Sequence, residues 1–183
     1  MRVERLRANF DIAIQVTQFP LHPDTPHEGL TLEQLFAGRN IDLEAAQVRM
    51  KRLMADEGLE YGERNMTFNS RLAQELAKWA EAQAGGGAIH AALYRAYFVN
   101  GLNIAQPENL VSVIREMGFD EFQARQVLDS RQLRDAVDAD WQRSRELGIT
   151  GVPTYVVGQR TVVGAQPYHV LEQLVRAEQG LRG

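Results

Sequence analysis

The stretch GITGVPTYVVGQRTVVGAQP, residues 148–167, decides how the rest of the chain is read. Thr154 to Val157 and Thr161 to Val163 are β-branched runs separated by Gly158 and Gln159, the pattern of a hairpin with a tight turn. Pro153 stands at the head of the first run. Proline has no N–H to give to a ladder, so it is confined to a strand start or an edge. The Val152–Pro153 bond is a candidate cis peptide, with an ordinary trans proline opening a strand as the alternative.

Outward from the hairpin the chain is helical on both sides. After Pro167, Val170, Leu171, Leu174 and Val175 repeat at helical spacing. Before Gly148, a pattern runs from Leu133 through Val137 and Trp141 to Leu147, and another from Asp120 to Leu128. Leu110, Val113, Ile114 and Met117 make a third face, opened near Pro107 and ended by Gly118. His90 to Asn100 carries Ala92, Leu93, Ala96, Tyr97 and Val99 and closes at Gly101. Asn69 is placed to cap a helix with Leu72, Leu76, Trp79 and Ala80 as its buried stripe, stopped by Gly85 to Gly87. From Asp42 to Glu57, Leu43, Ala46, Met50, Leu53 and Met54 fall on one face that ends at Gly58, which predicts a helix. Leu21 to Leu30, rich in proline, reads as a loop. Ile12, Ile14 and Val16 alternate with Ala13, Gln15 and Thr17, which predicts a strand. Val3, Leu6 and Phe10 fit the last turns of an amphipathic helix, with no capping residue before Val3.

Composition excludes several classes. With 44% hydrophobic and 24% charged residues over 183 positions, the chain has the balance of a globular domain. A formal charge of −4 and no basic run make nucleic acid an unexpected partner. No stretch approaches the roughly 20 apolar residues that span a bilayer. The first residues, MRVERLRANFD, lack the apolar core of a secretory signal, so the cytoplasm is the expected compartment.

There is no cysteine at all, hence no thiolate nucleophile, no disulfide and no cysteine metal ligand. His22, His27, His90 and His169 show no i, i+4 pair, so no metal site is expected. Trp79 and Trp141 read as core, and Asp135, Asp138 and Asp140 as a solvated face. Tyr168 and His169 either line a groove or cap the last helix. No cofactor and no catalytic residue is identified.

Gly151-Val152-Pro153-Thr154 with its following apolar run, turn and Gly164-Ala165-Gln166 resembles the cis-proline loop of the thioredoxin superfamily, in the form found in the DsbA family and its FrnE-like branch. FPLHPDTPHEG, from Phe19 to Gly29, is similar to the segment after the second strand of that group. TFNSRLAQELAKWA looks like its Asn-capped helix, and LYRAYFVNGLNIAQPENL like its insertion helix and following loop. The resemblance implies an α/β, thioredoxin-like fold with a large all-helical insertion. Residues 1–40 and 148–183 would form the thioredoxin-like part, and 41–147 the insertion and return helix.

In the family a first strand leads to Cys-x-x-Cys at the start of the first helix, and Met1 enters near the end of that helix. The expectation is therefore a DsbA-like fold lacking the first strand, a relative of thiol–disulfide oxidoreductases that cannot perform exchange as written. By the same resemblance Gly151, Val152, Pro153 and Thr154 would present backbone to an extended peptide or protein substrate. A non-catalytic binding module is the alternative reading, followed by a relative of glutathione-dependent isomerases and kappa-class transferases. The latter use a serine at the missing helix start, and Ser70, Ser112, Ser130 and Ser144 are no natural substitutes for it. Removing the first strand would leave residues 12–17 and 154–157 each with an unpaired edge, which points to a possible homodimer.

Overall fold

A computed structural model describes residues 2–180; Met1, the residue on which the expected entry into the first helix rests, lies outside the described residues. Helix α1 spans Arg2–Asn9. A two-residue strand β1, Leu30–Thr31, leads directly into a short helix α2, Leu32–Leu35. Helix α3 covers Leu43–Asp56 and strand β2 Met66–Thr67. Helix α4, Arg71–Glu81, is followed by a 3₁₀ turn at Gly86–Ala88 and by α5, Ile89–Tyr94, which continues as a π turn over Arg95–Val99. Helices α6, Pro107–Glu116, α7, Glu121–Ser130, and α8, Arg134–Glu146, precede strands β3, Thr154–Val157, and β4, Arg160–Val163. Helix α9, Tyr168–Gln179, completes the described chain. The order of elements, a small hairpin with its helices and a large helical part, is the one expected of an α/β fold with an all-helical insertion.

Packing divides the chain into two compact units, one of residues 1–21 with 140–183 and one of residues 22–139. The larger unit is built on α4, whose apolar stripe buries Leu76, Ala77 and Ala80 completely or nearly so. Ile89, Leu110, Ile114, Ala124 and Val127 close around it from α5, α6 and α7, and Trp79 meets Phe119 edge to face with ring centroids 6.4 Å apart. Gly86 can be nothing else, because a Cβ there would lie 1.6 Å from the Ala80 carbonyl oxygen. Ser70, not the expected Asn69, is the N-cap of α4; Asn69, one residue earlier, accepts the Arg71 N–H and donates to the Pro23 and Thr25 carbonyls, which ties down the loop before β1. Glu75 is fully buried on the same helix and is held by Arg71, one turn before it, and by a two-pronged contact from Arg131.

The smaller unit has a thinner core. Leu6, Leu171 and Val175 are its buried cluster, joined by half-buried Phe10, Ile12, Tyr155, Val157 and Tyr168. Helices α1 and α9 cover one face of the β3–β4 hairpin through these side chains, aided by the Arg5 guanidinium 3.9 Å from the Tyr168 ring centre and by Asn9 donating to the Tyr168 hydroxyl.

Two further expectations need correction. Residues 12–17 form no strand: among the described residues none pairs with them, and alternation of apolar residues sets which face is buried, not whether a backbone partner exists. Helix α3 forms as expected, capped by Asp42, yet buries no residue: Met50 and Leu53 are 38% and 48% exposed. Amphipathicity is a property of the helix alone, whereas burial needs an opposing element. Asp138 and Asp140 are not a free solvated pair, since Asp138 accepts from Arg71 and buried Asp140 accepts the Gln18 N–H at 2.8 Å. Helix α2 and the β1–β2 pair follow the expected loop at stretches for which the sequence carried no expectation; Thr31 and Gln34 form a reciprocal capping box there.

Candidate functional site

The loop before β3 is held from both ends. Thr154 donates its hydroxyl to the Gly151 carbonyl at 2.6 Å, and the Gly164 N–H donates to the Pro153 carbonyl at 2.7 Å. The Val152–Pro153 peptide is cis. Val152 is 49% exposed, Pro153 is exposed, and Gly151 and Thr154 are half-buried, so the structure brings these four residues together at the surface of one strand head. None of the four carries an ionisable side chain. What they offer is backbone polarity and an apolar surface, with no side-chain acid or base, and the one hydroxyl, of Thr154, is bonded to the Gly151 carbonyl.

Register defines which backbone groups are available. Strands β3 and β4 are antiparallel, with Thr154 opposite Val163, Tyr155 opposite Val162, Val156 opposite Thr161 and Val157 opposite Arg160. Gly158 takes a φ of 59° as the first of the two turn residues, the position a type II′ turn reserves for glycine. In an antiparallel ladder only alternate pairs exchange hydrogen bonds. Because Pro153 and Gly164 are bonded, the bonded pairs continue at Tyr155–Val162 and Val157–Arg160. The N–H and C=O of Thr154 and Val156 therefore point away from β4, and among the described residues they have no backbone partner. The sequence pointed to the loop and to an unpaired edge at residues 154–157, but not to which of its groups face outward; the two-residue turn, which fixes the phase of the bonding, carries that signal.

Other candidate groups do not join the loop into a reaction centre. No cluster of three metal-ligating side chains occurs among the described residues. His22 is held below its ordinary pKa, first by burial and then by the positive charges of Arg64 and Arg39. His90 pairs with Glu81 on the neighbouring helix, and His27 contacts Gln106. Of the serines considered as nucleophiles, buried Ser144 donates to the Asp140 carbonyl, Ser112 to the Asn109 carbonyl and Ser130 to the Gln126 carbonyl, all local helix bonds, and Ser70 accepts from Gln74. No helix among the described residues is long and apolar enough to cross a membrane.

Comparison with known proteins places this geometry. The sequence profile of the DSBA-like thioredoxin domain matches residues 1–176. The Bacillus subtilis (strain 168) protein YwbO is 27% identical over 109 residues, 59% of this chain and 54% of its own, so the match spans about half the length of that relative. A crystal structure from Nitrosomonas europaea, of a protein assigned as a disulfide isomerase, superposes over 100% of this chain and 90% of its own with a TM-score of 0.71 at 17% identity. A 2-hydroxychromene-2-carboxylate isomerase superposes over 98% of this chain and 86% of its own with a TM-score of 0.70 at 20% identity. The cytosolic disulfide reductase DsbM of Pseudomonas aeruginosa, with GSH, covers 84% of this chain and 82% of its own with a TM-score of 0.54 at 22% identity. At these identities the three structures speak for the fold.

Proposed function

We propose that this chain, which belongs to the DSBA-like thioredoxin domain family, binds an extended peptide at the loop of Gly151, Val152, Pro153 and Thr154 and performs no thiol–disulfide exchange with its own residues. The observation that carries the reading is the open edge of β3. Thr154 and Val156 offer two donors and two acceptors at a two-residue repeat, beside exposed Val152 and Pro153. An extended segment added there makes main-chain hydrogen bonds without regard to its sequence, and the apolar loop selects one side chain in register.

Exchange needs a thiolate to attack a disulfide sulfur and a second to resolve the mixed disulfide. With no cysteine in the 183 residues, neither is supplied by this chain. The FPLHPDTPHEG and GVPT segments support a place in the FrnE-like branch, and the missing ladder partner of residues 12–17 supports an incomplete thioredoxin sheet.

Binding of a fluorescein-labelled extended peptide, followed by anisotropy, tests the proposal. A peptide N-methylated at alternate residues loses the donors that face the edge and should bind at least about tenfold more weakly, the equivalent of roughly 1.4 kcal/mol. Val156→Pro removes one outward N–H while sparing the ladder to β4, and should weaken binding likewise. Equal affinity for the two peptides overturns strand addition. Insulin reduction by the isolated chain above a no-protein control overturns the absence of exchange.

A further inference from the structure

A cleft of about 420 Å³ lies in the larger unit, between helix α3 and residues 61–63. Its far wall is fixed in place. The Tyr61 ring stacks on Phe98 at 6.0 Å, and the Gly62 N–H donates to the Phe98 carbonyl on the π turn. A Cβ on Gly62 would come within 2.5 Å of the Val99 oxygen, so only glycine lets the wall sit this close. The near wall is Leu43 and Val48 of α3.

Three carboxylates line the cleft, Glu33, Glu44 and Glu63, against one ammonium, Lys51. Glu33 and Glu44 also stand in the first turns of α2 and α3, where a negative charge favours the helix. Glu63 has no such role. Neither Glu44 nor Glu63 has an ion-pair partner among the described residues, in contrast to Glu60 next door, which is held by Arg95.

We propose that this cleft is a docking site for a partner protein segment bearing an arginine or lysine next to apolar residues. Charge selects the cation. The apolar wall of Leu43, Val48 and Tyr61 suits an alkyl stem, and an aromatic ring adds attraction for a guanidinium laid on its face. Val48, 66% exposed, carries the apolar surface out of the cleft along α3. A free small cation leaves that surface bare, whereas the residue next to an arginine in a peptide covers it. This site is separate from the strand edge proposed above, and neither depends on the other.

The test uses the full chain and the capped peptide Gly-Ser-Leu-Arg-Leu-Ser-Gly, with NMR shifts as the readout. Shifts should concentrate in residues 43–51 and 61–63 and weaken as salt is raised. The same peptide with citrulline in place of arginine, isosteric and uncharged, should lose most of its binding. Glu44→Gln with Glu63→Gln should weaken the arginine peptide about three- to tenfold, the range for two partly exposed charge contacts. Glu44→Lys with Glu63→Lys should instead gain binding of the glutamate counterpart, a gain that loss of folding cannot mimic. Shifts confined to other residues, unchanged affinity in the Gln variant, or no gain in the Lys variant overturns the site. Butylguanidinium binding as tightly as the peptide overturns the assignment to a protein partner.

Discussion

The two units of this chain solve the same problem unequally. In the larger one, helices α4 to α7 bond their own backbones and need only a shared apolar core, which fifteen buried residues supply. In the smaller one, three buried residues underlie a two-stranded hairpin whose outer edge has no partner among the described residues. A helix satisfies its interior hydrogen bonds within its own segment and needs partners only at its ends, but a strand borrows its partner from elsewhere in the chain. The helical unit is therefore the stable body, and the hairpin is where bonding capacity is left over for a ligand.

The largest effect should come from cutting into the helical core. Ile114→Ala, at a fully buried position, should cost about 4 kcal/mol, whereas Leu171→Ala in the thinner cluster should cost about 2 to 3. Urea denaturation of both variants checks the order, and equal losses would dissolve the distinction between the units.

Next in size is the buried carboxylate. Burial pushes the Glu75 pKa up, but hydrogen bonds from Arg131 and Arg71 outweigh it and leave the pKa below its ordinary value of 4.5. A depressed folded pKa stabilises the native state fully above the unfolded pKa and loses that contribution as pH falls through the folded value. Stability of the helical unit should thus be level above pH 4.5 on this account and decline below it. Glu75→Gln, which leaves two guanidinium groups without a buried counter-charge, should cost about 3 kcal/mol at neutral pH and flatten the acid limb. An acid limb unchanged in the variant would remove Glu75 from the explanation.

Capping provides a smaller test. Thr31→Ala deletes the hydroxyl that accepts the Gln34 N–H, and should cost about 1 kcal/mol by thermal melting.

How much was legible in the sequence follows the same division. Helical periodicity located α3 to α9 nearly to the residue, because each face carries its own signal: Leu76, Trp79 and Ala80 announce α4 without reference to any other element. Burial was less legible, since nothing in Met50 or Leu53 says that no element lies over α3. Residues 12–17 have the alternation of a strand, but a ladder requires a neighbour that alternation cannot name. At the site, the Gly-Val-Pro-Thr loop was legible as a motif, while the free groups of Thr154 and Val156 emerged only from the phase of the hairpin. The ion network of Glu75, Arg71 and Arg131 joins positions 56 residues apart and left no local mark.

An unpaired edge also bears on assembly. Two copies pairing through β3 would satisfy the same groups as a peptide, so any dimer that sedimentation detects should dissociate as an extended peptide saturates the chain.

Amide hydrogen exchange at β3, resolved by NMR, tests the central claim most directly. In the free chain, at concentrations where sedimentation shows it monomeric, the Thr154 and Val156 amides should exchange much faster than those of Tyr155 and Val157, which donate to β4. An extended peptide should slow Thr154 and Val156 selectively. Protection of all four amides in the free monomer, or no change at Thr154 and Val156 with peptide saturating, would contradict the account.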